Sequence, residues 1–129
     1  MKVPDLSRAA DAGVVPWTGS PEGLKSAAQA AKLDYLNADL HGVASKYALL
    51  EALASGLKLP AHFGKNWDAL ADALEDEQWM PAHGAVVVLR HCAAYQKAHP
   101  ADWATLSEIL QEAVEYWQEK HKPLWIFLA

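Results

Sequence analysis

Apolar positions along this chain change period several times, and each change marks an element. Ser20-Pro21-Glu22 opens a helix, with a hydroxyl at the cap, proline at the first helical position and an acid near the positive end of the dipole. That helix is expected to run to about Lys32. Leu33-Asp34-Tyr35-Leu36-Asn37-Ala38-Asp39-Leu40 then alternates partially from a β-rich start, which predicts a first strand bounded by His41-Gly42. Ser45 caps a second helix, in which Tyr47, Leu50, Leu53, Ala54 and Leu57 recur at three- and four-residue steps as one apolar stripe, and Gly56 with Pro60 marks its stop. After a loop through Leu59-Pro60-Ala61-His62-Phe63-Gly64, Asn66 caps a short helix whose inner face is Trp67, Leu70, Ala71 and Leu74.

Gly84-Ala85-Val86-Val87-Val88-Leu89-Arg90 is a continuous β-branched run of strand length, as expected of a central strand covered on both faces. Pro100 starts the longest helix, with Trp103, Leu106, Leu110, Ala113, Val114 and Trp117 on one face and Glu108, Glu112, Glu115 and Glu119 on another. Pro123 ends that region, and Leu124-Trp125-Ile126-Phe127-Leu128 reads as a third buried strand. Strands separated by helices require crossover connections. The expected fold class is therefore α/β: a small three-stranded parallel sheet with right-handed crossovers, packed by helices. Residues 1–32, with Pro4, Gly13, Pro16 and Gly19, read as an irregular N-terminal extension with a short helix, whose Val14, Val15 and Trp17 can dock on the body; residues 33–129 form the α/β domain.

Composition narrows the function classes. A chain of 129 residues suffices for one domain with its own core, and 52% hydrophobic against 21% charged residues argues against disorder and coiled coil. A formal net charge of −5 disfavours a nucleic-acid backbone as partner and favours a cationic one. The single cysteine, Cys92, forms no internal disulfide and suits a reducing compartment, where a buried inert thiol is expected. Asp5, Arg8 and Asp11 interrupt any apolar N-terminal segment, and no run approaches the ~18 apolar residues of a membrane span. The expectation is a cytoplasmic protein with no membrane segment.

Candidate chemistry lies in the carboxylates. His41, His62, His83, His91, His99 and His121 contain no pair at the i, i+4 helical spacing, so neither metal nor other cofactor is expected. His62 with Asp68 could serve as an acid–base pair of a small enzyme, but no nucleophile elbow or phosphate-cradling glycine loop accompanies them. Asp68 and Asp72 stand four apart on the short helix, a repulsion of about 0.2–0.5 kcal/mol, and Glu75, Asp76 and Glu77 add acids at the end the helix dipole disfavours. Two readings stay open: a solvated helix face, or a repulsion kept because a partner's cations relieve it.

The segment Leu59-Pro60-Ala61-His62-Phe63-Gly64-Lys65-Asn66-Trp67-Asp68-Ala69-Leu70 resembles the barstar-family signature, in which Leu-Pro, two aromatic-type positions, Gly-x-Asn, an apolar residue and Asp-Ala-Leu follow in order. The order of flanking elements is also that family's, and the resemblance covers about residues 33 to 129. It implies a non-enzymatic, stoichiometric ribonuclease inhibitor whose acidic helix and preceding loop block a cationic active site. The implied partner is a basic ribonuclease, secreted or toxin-type, bound by an inhibitor that is monomeric when free and touches no nucleic acid.

By the same resemblance, Asp72 takes the place of the aspartate that enters the phosphate-binding centre of the ribonuclease, and Asp68 that of an aspartate facing its basic groups. Gly64, Asn66 and Trp67 fall where loop and helix-start residues touch the partner. Glu115 falls, across a one-residue gap, at a rim glutamate, and Trp79 matches a tryptophan after the acidic helix if a small insertion is allowed. His62 and Ala71 stand at partner-facing positions that hold a tyrosine and a tryptophan in the family's best-known member. Loss of aromatic area at both positions leaves an alternative open, a binding or immunity module of this fold for a partner that is not a ribonuclease.

Overall fold

A computed structural model describes residues 2–60 and 63–129. After a 3-10 turn at Ala9–Asp11 the elements are β1 (Val14–Pro16), α1 (Pro21–Ala30), β2 (Asp34–Asp39), α2 (Lys46–Gly56), α3 (Trp67–Leu74), β3 (Ala85–Arg90), α4 (Cys92–Ala98), α5 (Pro100–Glu119) and β4 (Leu124–Leu128). The strands form one parallel sheet in the order β1-β4-β3-β2. β3 and β4 are central and buried along nearly their whole length, which is why both read as unbroken apolar runs. β2 is an edge strand. Leu36 and Ala38 enter the core while Asp34, Asn37 and Asp39 face water, so its pattern alternates.

The sheet has four strands rather than the three expected. The addition is β1, in which Val14, Val15 and Pro16 pair with Ile126, Phe127 and Leu128. Three residues ending in proline show no period of their own, and only the pairing with β4 makes them a strand; proline is tolerated there because β1 is an edge. The residues on either side of β1 are fastened by side chains from α5 and β4. Trp125 Nε1 donates to Leu6 O at 2.9 Å, Gln118 Nε2 donates to Ala12 O at 2.9 Å, and buried Trp17 meets the Phe127 ring edge-on at 5.4 Å.

Helix boundaries follow their caps. Ser20 Oγ accepts from Glu22 N at 3.2 Å to start α1, which stops two residues before Lys32, where the backbone turns left-handed at φ 63°. Ser45 Oγ accepts from Ala48 N at 3.1 Å to start α2. The buried stripe of α2 is Leu49, Leu50 and Leu53, continued by Leu57, and Tyr47 lies outside it, 58% exposed. That corrects the predicted stripe: Leu49, Leu50, Leu53 and Leu57 fill a narrower arc than the residues chosen from spacing, and Tyr47 falls at its margin. Helix α4 was not expected, since Cys92 and Tyr95 are its only buried positions and no side chain caps it. Helix α5 buries Trp103, Leu106, Ile109, Leu110, Ala113, Val114 and Trp117, and Trp117 Nε1 donates to Leu74 O at 2.7 Å. This bond satisfies one of the carbonyls that the end of α3 leaves without an intrahelical partner, and so ties α5 to α3. Among the described residues no helix is long and apolar enough to cross a membrane.

Candidate functional site

The site is built around the start of α3. Phe63 N donates to Pro60 O at 3.0 Å, and Lys65 adopts a left-handed φ of 47° before the chain extends at Asn66. Asn66 Oδ1 accepts from Ala69 N at 2.8 Å, while its Nδ2 donates to Gly64 O at 3.3 Å. One side chain therefore caps the helix and holds the loop against it. Because Leu70, Ala73 and Leu74 face the core, the 3.6-residue turn puts Asp68 and Asp72 on the outer side, with Asp76 just past the helix. Phe63, Gly64, Asp72, Ala73 and Asp76 line a shallow groove of about 210 Å³ there.

No cation among the described residues pairs with those carboxylates. Among the described residues the ion pairs involve Asp11, Asp39 and Glu51, and none reaches Asp68, Asp72 or Asp76. The field instead continues with the same sign onto α5. Burial pushes the Glu75 carboxyl above its ordinary value, and the Glu112 and Asp72 carboxylates push it further. Glu115, one turn beyond Glu112, is exposed, and its Oε1 accepts from Gln111 Nε2 at 3.4 Å.

The remaining residues singled out from sequence have separate surroundings. Trp67 and Ala71 are half-buried at the margin of the α3 core face, with Lys46 Nζ 5.4 Å from the Trp67 ring centroid. Ala73 takes the deeper position that the sequence pattern assigned to Ala71. Trp79 is half-buried, and its Nε1 donates to Leu57 O at 2.7 Å, which fixes the segment after α3 to the end of α2. His62 lies outside the described residues, and with it the imagined His62–Asp68 pair. Sequence reasoning missed Tyr47 and Lys65, which the fold brings beside the loop: Lys65 Nζ lies 5.3 Å from the Tyr47 ring centroid and 3.9 Å from Glu51 Oε1. The signal that could have found them is the stripe of α2, whose narrower arc leaves Tyr47 facing outward.

Other chemistry-bearing groups form no comparable centre. Among the described residues no group of three or more His, Cys, Asp or Glu side chains is placed to hold a metal ion. His91 Nδ1 lies 2.6 Å from Asp39 Oδ1, and His99 Nε2 3.0 Å from Ala44 O. The Cys92 thiol is buried, donates to Leu89 O at 3.2 Å, and is pushed up to about 11 by burial, so it is protonated at neutral pH.

The acidic helix, capped by asparagine and preceded by a loop that the same side chain holds, thus turns its carboxylates outward. A comparison with curated proteins returns no match for the chain. The family model described as Barstar (barnase inhibitor) matches residues 33–129, which include the loop, α3 and α5, and the chain accordingly belongs to the barstar family.

Proposed function

We propose that this protein is a stoichiometric inhibitor of a barnase-type ribonuclease, and that Asp68 and Asp72 are its working groups. The observation that carries this reading is the outward row Asp68, Asp72 and Asp76, which no cation of the described chain neutralises. A ribonuclease must hold a polyanion, so its cleft presents Arg, Lys and His. Carboxylates fixed on a helix occupy phosphate positions there without offering a cleavable bond. Asn66 supplies the preorganisation: it orders both the helix start and the Gly64 carbonyl before contact, so less entropy is lost on binding. Gly64, Trp67 and Ala71 border this row, Glu115 extends it on α5, Trp79 ties the segment after α3 to Leu57, and His62 joins the set through the family resemblance alone.

The partner is a basic nuclease, secreted or acting as a toxin, which the producing cell must neutralise in its own cytoplasm before release. The acidic face speeds capture, and the desolvated Asp72 contacts govern release. The inhibitor acts as a monomer, without a cofactor and without touching RNA. Titration of the protein into barnase, with RNA cleavage as readout, tests the reading: cleavage should stop at one equivalent. Asp72→Ala should weaken inhibition by about 30-fold or more, the scale of an interface hot spot. Inhibition by Asp72→Ala equal to that of the parent would refute the mechanism.

A further inference from the structure

Beside the acidic row the surface changes sign. Among the described residues Tyr47 is the one large apolar side chain left mostly in water, at 58% exposure. Lys65 Nζ stands 5.3 Å from its ring centroid and 3.5 Å from its hydroxyl, and Lys46 Nζ stands 5.4 Å from the Trp67 ring centroid. Two cations thus lie against two aromatic rings where the first turn of α2 meets the loop that leads into α3. Trp67 is followed directly by Asp68, so this patch is continuous with the acidic row. The rings are held in place by cation–π attraction at little entropic cost, as suits an anchor for a partner.

We infer that Lys46, Tyr47, Lys65 and Trp67 form a second lip of the inhibitory face, which meets an acidic and apolar rim beside the cationic cleft of the ribonuclease. The inference rests on the proposed function and specifies which basic nuclease the face accepts. A wholly acidic surface would attract any basic protein. Two lysines set against Trp67 and Tyr47 repel a uniformly basic surface and favour one whose positive cleft is edged by a carboxylate, so the alternation of sign supplies specificity. Lys65 can turn from Glu51 toward a partner's carboxylate at small cost, because its pair with Glu51 is long at 3.9 Å and both side chains are substantially exposed, at 39% and 47%.

Binding of three variants and the parent to barnase, and to lysozyme as a basic decoy, tests this. Tyr47→Ala should weaken binding to barnase by about tenfold with its thermal melt unchanged, since the ring contributes little to the core. Lys46→Glu combined with Lys65→Glu should weaken binding to barnase while strengthening binding to lysozyme at low salt, a gain that a merely structural role for these lysines would not produce. If Asp72→Ala loses inhibition but the Tyr47 and lysine variants bind both proteins as the parent does, the second lip is wrong and the proposed function stands. Should the parent leave barnase active, both fall.

Discussion

Gly56, the last residue of α2, provides a sharp test of how the helix seats on the sheet. A Cβ built there would land on the Asn37 carbonyl oxygen, with Ala38 Cβ at 2.6 Å and Ala38 Cα at 2.7 Å. Helix propensity alone favours Gly56→Ala by up to about 1 kcal/mol. Against that stands overpacking, which typically costs about 1–3 kcal/mol. The upper end applies, because the obstructing atoms belong to the β2 backbone, where Asn37 and Ala38 are held in register with Val88 and Leu89. A net loss of about 2 kcal/mol follows, or a melting temperature lower by about 8 °C for a chain of this length. Gly23, in the first turn of α1, is the matched control, since nothing lies within 4 Å of the Cβ it would gain. Gly23→Ala should raise the melting temperature by a few degrees at most, because it gains up to about 1 kcal/mol without a clash. Thermal melts followed by circular dichroism compare the two. A Gly56→Ala protein as stable as the parent, or more so, would show that α2 does not approach β2 as closely as described.

Other consequences concern the acidic face. Asn66→Ala removes the α3 cap and should cost about 1 kcal/mol, seen as a fall of roughly 4 °C, whereas Asn66→Asp keeps an acceptor for Ala69 N and should stay near the parent. Glu75 has a folded-state pKa above its ordinary 4.5, so its ionisation subtracts stability as pH rises through that window. Glu75→Gln should therefore melt higher than the parent at pH 7, with a gap that closes below about pH 4; an equal gap at both pH values would contradict the assignment. Association with barnase, followed by stopped flow, should slow as salt is added, and Asp68→Asn should flatten that dependence.

The elements most legible in the sequence were those whose pattern and caps agree. The β3 and β4 runs, the Pro100 start and glutamate face of α5, and Asn66 ahead of Asp68 all needed only local chemistry. The acid pair was legible for the same reason, because spacing four on a helix determines a shared side. β1 was not, since three residues take strand form only through β4, and α4 was not, with two inward residues and no cap. Tyr47 was misplaced because a five-residue stripe admits more than one centre, and the burial of Leu49 decides which. The neighbours of Lys65 and the bond from Trp79 to Leu57 depend on how helices pack against each other, which no local pattern encodes.

The pairing of β1 with β4 also orders events in time. The bond from Trp125 to Leu6 joins residues 119 apart, and β1 has no sheet partner besides β4. During synthesis, β2 and β3 can pair as soon as both have emerged, but the first strand must wait for the last. Contacts of such long separation are late and slow to form. The Val14–Pro16 edge is thus the closing seam of the molecule, and a nascent chain held up before β4 would leave Trp17 and its neighbours uncovered. Pulse-labelled hydrogen exchange should find Val15 and Phe127 gaining protection after Val87 and Leu36.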